Sequence, residues 1–155
     1  MTDSVRKQIV DMAIAQINAT PPAGFPTADD TRLESYTLAE LPAITVFEIR
    51  EEGESEKSSR WGYLVKRTFT LRVEIRVASD ADTIKGRAAI DPLYVWVAQK
   101  TASAYQQPAF GGLAESAYET LLEWQYADSD QGYTLLQIDF RVEYSTLRND
   151  PTKIQ

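Results

Sequence analysis

The sequence predicts an α+β domain: a mostly antiparallel four-stranded sheet with helices packed on one face, in the order α-β-β-α-β-β. Two patterns lead to this. Thr68 to Val77 alternates polar and apolar residues without a break, and the run Thr134 to Tyr144 does so from Leu136 onward. That two-residue period is the mark of a strand with one face on a core and one left free. Elsewhere apolar residues recur at three- and four-residue spacing, the period of an amphipathic helix, and a helix needs a face to cover.

The elements follow in order. Ser4 is a good N-cap for a helix carrying Val5, Ile9, Met12, Ala13 and Ile17 on one side and ending near Asn18. From Ala19 to Leu41 the chain holds Pro21, Pro22, Gly24, Pro26 and the pair Asp29-Asp30, which predicts a long surface excursion or binding arm. Leu41 to Arg50 is the first strand, with Pro42 at its start, where a missing N–H is tolerated. The polar, mostly acidic stretch from Glu51 to Arg60 predicts a mobile hairpin loop that buries nothing. The second strand runs from about Trp61 to Val77, with Phe69, Leu71, Val73, Ile75 and Val77 facing one way.

A helical region over about Asp80 to Ala104 carries Ile84, Ala88, Leu93, Trp96, Val97 and Lys100, interrupted at Asp91-Pro92. Either two helices meet there or one long helix kinks. Pro108 and Gly111-Gly112 close the segment. A hairpin ends the fold, roughly Ala117 to Ala127 against Tyr133 to Thr146 across Asp128 to Gly132. Leu122, Trp124 and Tyr126 share one face of its first strand. On its second, Leu136, Ile138, Phe140, Val142 and Tyr144 face the core, and Gln137, Asp139, Arg141 and Glu143 face out. Asp150-Pro151 stops regular structure and leaves a short tail. The whole reads as one domain, residues 1–155, with flexible segments at about 19–41 and 51–60.

Composition then narrows the function. The 155 residues contain no cysteine and no histidine. This excludes disulfides, thiolate chemistry, the usual serine triads and typical zinc catalysis. The formal charge of −7 argues against holding nucleic acid by phosphate neutralisation, which needs a basic stripe, and the longest basic cluster is Lys66-Arg67. The opening Met1-Thr2-Asp3-Ser4 has no charged-then-apolar leader, and no apolar stretch approaches the about 20 residues that span a bilayer. A soluble protein made in the cytoplasm, with no membrane role, is the expectation.

Candidate sites are few. Asp128, Asp130 and Gly132 sketch part of a calcium loop but lack its third ligand position and distal glutamate, so a plain turn is expected. Asp80 and Asp82 suit a helix start without any metal. Gly111-Gly112 lacks the spacing of a phosphate loop, and Asn18-Ala19-Thr20 matches a glycosylation acceptor only by chance. Trp61, Trp96 and Trp124 continue apolar faces and are read as packing residues. No catalytic residue, cofactor or metal is expected. The charges Arg72, Glu74 and Arg76, with Asp139, Arg141 and Glu143, set both signs on the outer sheet face. They suit a contact between subunits, or a solvated face with weak cross-strand ion pairs.

The starting helix, the strand Leu41-Pro42-Ala43-Ile44-Thr45-Val46, the acidic hairpin, Phe69 to Val77, a long helix and a closing hairpin through Val142-Glu143-Tyr144-Ser145-Thr146 to Asp150-Pro151 form a distinctive layout. It resembles the tail terminator and tail completion proteins of long-tailed bacteriophages, related forms of which occur in prophages and phage-like particles. The resemblance implies a non-enzymatic virion protein of the tail and neck, made in the host bacterial cytoplasm. It would form a ring, commonly a hexamer, on the head-proximal end of the tail tube, end tube growth and join tail to head. Partners would be further copies of itself, the tail tube protein and a head-neck connector protein, with DNA passing through without specific binding. Subunit contacts would use Arg72, Glu74, Arg76, Asp139, Arg141 and Glu143. Glu54, Glu56 and Lys57, with the arm from Pro21 to Asp30, would dock on tube or neck. Two other readings fit the same residues: a head-closure or neck adaptor subunit, and a small carboxylate-dependent enzyme.

Overall fold

The computed structural model describes residues 3–31, 37–55, 64–78, 83–101, 109–125, 132–147 and 150–154. Helix α1, Val5–Ile17, starts where expected because the Ser4 hydroxyl accepts the Lys7 amide at 3.3 Å. It is followed by β1 (Ala28–Asp29), β2 (Ala43–Ser55), β3 (Leu64–Ala78), α2 (Thr83–Thr101), β4 (Ser116–Gln125), β5 (Tyr133–Leu147) and β6 (Asp150–Ile154).

The class is α+β, and the sheet is larger than the expected four strands. Its order is β1-β2-β3-β5-β4, with β6 paired to the end of β5, six strands among the described residues. The four long strands are those read from the sequence, joined antiparallel through the second strand of each hairpin. The two short ones come from segments expected to be irregular. Ala28–Asp29 lies parallel to β2, opposite Ile44 and Thr45, because the Asn18 side chain clamps it: Oδ1 accepts the Ala28 amide at 2.8 Å and Nδ2 donates to its carbonyl at 2.9 Å. The Asp150-Pro151 segment continues as a strand because the Asp150 carboxylate accepts from the Thr152 amide at 3.1 Å and from its hydroxyl, turning the chain back along β5. A proline is tolerated on such an edge.

β2 also runs five residues further than expected at its end, so Glu51 to Ser55 are strand and not loop. A one-residue shift at Ile49, between the pairs Glu48–Leu71 and Arg50–Thr70, makes a β-bulge. The bulge puts Glu51, in place of Arg50, opposite Phe69 on the core face, and Ile49 is exposed. The 83–101 region is one helix that runs through Pro92. Ala88, whose carbonyl loses its donor there, is exposed, so water can serve it.

Both long helices cover the same sheet face. Val5, Ile9, Ala13 and Ile17 of α1 and Ile90, Leu93 and Val97 of α2 bury against Phe69 to Val77 of β3 and Leu136 to Tyr144 of β5. Each large side chain removed from water there contributes roughly 1.5–3 kcal/mol. Trp96 joins the two helices: its indole N–H donates to the Ile17 carbonyl at 2.9 Å, and its ring meets Phe25 edge-on. Trp124 is partly buried against the core with Arg87 5.6 Å over its ring, whereas Trp61 and Tyr126 lie outside the described residues.

Candidate functional site

The outer face of the sheet gathers the six charged residues that the alternation assigned to it. Arg72 stands opposite Asp139 across β3 and β5, and its Nε and Nη2 donate to the two carboxylate oxygens at 2.7 and 2.8 Å. The hydrogen bonds to Asp139 raise the Arg72 guanidinium pKa further above its ordinary value. Arg76 pairs with Glu74 at 2.5 Å and Arg141 with Glu143 at 3.3 Å. Glu74 and Asp139 keep only 5% and 7% of their surface. Of the six, only Arg141 leaves about half its side chain, 49%, in solvent. The charges are therefore matched within one chain before any neighbour arrives.

Glu54 belongs to β2, opposite Lys66, while Glu56 and Lys57 fall outside the described residues, as do Asp80, Asp82, Asp128 and Asp130.

A second polar group, not foreseen from sequence, lies at the far end of the core face. The Glu51 carboxylate accepts from Arg6 of α1 at 2.5 Å and from the Tyr144 hydroxyl of β5, with Arg67 of β3 at 3.5 Å. Arg6 Nε also lies 3.6 Å from Glu48. Burial, and then the hydrogen bond to Glu51, push the Tyr144 phenol pKa well up, so it acts as a donor. One carboxylate is shared by two guanidiniums and a phenol, which ties α1, β2, β3 and β5 together. The bulge at Ile49 makes it possible, and no sequence periodicity signals a bulge.

A third feature is the free edge of the sheet. Among the described residues β4 has a partner only on its β5 side. It carries three exposed large apolar residues within five positions, Tyr118 at 39%, Leu121 at 41% and Leu122 at 37%. Tyr118 and Leu121 lie opposite Arg141 and Asp139 on the outer face, and Leu122 lies opposite Ile138 on the helix-bearing face. The adjacent leucines, one for each face of an edge strand, were the signal in the sequence.

Asp29 and Glu40 line one small pocket of about 340 Å³ beside β2. Both carboxylates are engaged locally. Asp29 accepts the Thr31 amide at 3.1 Å, and Glu40 accepts the Thr37 amide at 2.6 Å and its hydroxyl at 2.9 Å, which lowers the Glu40 pKa. Among the described residues no group of three or more acidic side chains is placed to hold a metal ion, and no helix is long and apolar enough to cross a membrane. No family model and no curated protein matches the chain.

Proposed function

We propose that the chain is a structural subunit of a long-tailed bacteriophage or phage-like particle. It assembles as a ring, a hexamer on the family resemblance, that caps the head-proximal end of the tail tube, ends tube growth and joins the tail to the head and neck. The observation that carries the reading is the β4 edge: a strand paired on one side only among the described residues, with Tyr118, Leu121 and Leu122 exposed together, is the kind of surface a chain keeps for another chain. The layout of helices and hairpins supports it. So does the formal charge of −7, since a ring threaded by DNA should not hold phosphates by attraction. Its partners on this reading are its own copies, the tail tube protein and a head-neck connector protein, and its place is the virion neck after synthesis in the bacterial cytoplasm.

Light scattering across a concentration series, followed by negative-stain imaging alone and with purified tail tubes, tests this. The expected result is a ring with a central opening, or ring formation on tube ends with arrest of tube growth. A chain that stays at 17.4 kDa and leaves tube growth unchanged overturns it.

A further inference from the structure

The sheet has two open sides. β1 lies beside β2 only at Ile44 and Thr45, so over residues 46–55 that side of β2 faces no other strand among the described residues. This open stretch is as long as β4, whose own open side lies at the opposite end of the sheet. Six large apolar side chains are exposed among the described residues, and four of them sit on these two strands: Ile49 on β2, and Tyr118, Leu121 and Leu122 on β4. Each strand also carries a bulge about midway, between Glu48 and Arg50 in β2 and between Glu119 and Leu121 in β4. An open strand side presents a row of backbone N–H and C=O groups, and the partner that satisfies such a row is another extended strand.

Resting on the ring reading, we propose that β4 of one copy pairs with residues 46–55 of β2 in the next, so that a single sheet runs on from subunit to subunit. Direction, register and symmetry agree on this partner. β2 and β5 run one way and β3 and β4 the other. The two open sides are therefore antiparallel when neighbouring copies are related by a rotation about an axis along the strands, and the alternation of direction continues across the contact. A bulged strand falls out of step with a regular partner, because one extra residue exchanges its two faces. With the two bulges level, both strands change step together. Ile49 then lies beside Leu121, Phe47 beside Glu123 on the outer face and Glu48 beside Leu122 on the helix-bearing face, each residue keeping the face it has in the single chain. Pairing of β4 with a second β4 would close at two copies and leave Ile49 in water. Pairing of β4 with β2 uses both open sides and propagates head to tail, which is the contact a ring needs.

The chain has no cysteine, so Ile49→Cys and Leu121→Cys each introduce a single thiol at an exposed position. Directly opposed residues of an antiparallel pair have Cα atoms about 4.5–5.5 Å apart, within reach of a disulfide. Each variant alone, and the two mixed, are oxidised under conditions where light scattering shows rings, and amide hydrogen exchange of the wild type is compared at ring-forming and at monomeric concentration. The expected result is disulfide-linked dimers in the mixture and not in either variant alone, with exchange in the rings slowed both in β4 and in residues 46–55. Slowed exchange on both strands without linkage in the mixture overturns the level-bulge register. Rings in which these amides exchange as in the monomer, or which link through Leu121→Cys alone, overturn the pairing of β4 with β2 and leave the ring reading standing. A chain that forms no ring by itself or on tube ends overturns both.

Discussion

Arg72 holds Asp139 with two parallel hydrogen bonds, 2.7 and 2.8 Å long, across the two central strands of the sheet. Both members are largely withdrawn from solvent, at 24% and 10% side-chain exposure, so removing one leaves the other charged and poorly solvated. Arg72→Met or Asp139→Leu alone is expected to cost roughly 2 to 4 kcal/mol, between a charged hydrogen bond and a fully buried broken pair. The double variant should recover most of that loss, because it removes both charges together. Urea unfolding midpoints at unchanged slope measure this. If the two single losses simply add, the pair is not coupled. Reversal at Arg72 is thus a test of the fold rather than of subunit contact.

Tyr144 gives the fold an alkaline limit. Its phenol is raised above the ordinary value near 10 by burial and by the bond to Glu51, so the native state holds that proton more tightly than the unfolded chain does. The corresponding stability is complete below pH about 10 and drains away as pH climbs towards the folded value, at up to about 1.4 kcal/mol per pH unit. Tyr144→Phe should lose about 1 kcal/mol at neutral pH and show a flatter decline between pH 10 and 12 than the wild type. Parallel alkaline profiles for the two proteins would show that Tyr144 is not the titrating group.

The long elements were legible because each is periodic. Phe69 to Val77 and Leu136 to Tyr144 declare their inward faces by strict alternation, and Ser4 announces α1 by capping chemistry. Glu51 was illegible because a bulge at Ile49 resets the alternation, and a bulge is decided by what the strand meets, here Arg6 and Tyr144. The strand at Ala28 was hidden for a similar reason: a proline-rich segment has no period, and its partner is the Asn18 side chain, ten residues away. On the candidate site, alternation placed Arg72, Asp139 and their neighbours on the outer face. It could not reveal that they neutralise one another within the chain, which depends on the β3–β5 register.

Asn18 imitates a strand by offering Ala28 both an acceptor and a donor. Asn18→Ala should cost about 1 to 2 kcal/mol for two lost hydrogen bonds. The loss should be local: hydrogen exchange at Ala28 and Asp29 should rise to the rate of open chain, while β3 and β5 stay protected. Unchanged protection at Ala28 would mean that the pairing to Ile44 holds β1 without the clamp.

Contact between subunits should be separable from stability on β4 and its neighbour Arg141. Leu121 is 41% exposed on the outer face of an edge strand, so Leu121→Lys should leave folding stability within about 0.5 kcal/mol of wild type. Arg141→Glu places a second carboxylate beside Glu143 at an exposed position, with a similarly small effect. If β4 and the adjoining outer face meet a neighbouring subunit, Leu121→Lys removes apolar contact at every interface of the ring. Arg141→Glu changes only a rim charge, whose effect salt should screen. The expected pattern in light scattering is therefore loss of rings for Leu121→Lys at all ionic strengths, and weakened assembly for Arg141→Glu at low salt that recovers as salt is raised. Normal rings from Leu121→Lys would remove the outer face of β4 from the interface and leave the helix-bearing face, with Leu122, as the side that makes the contact.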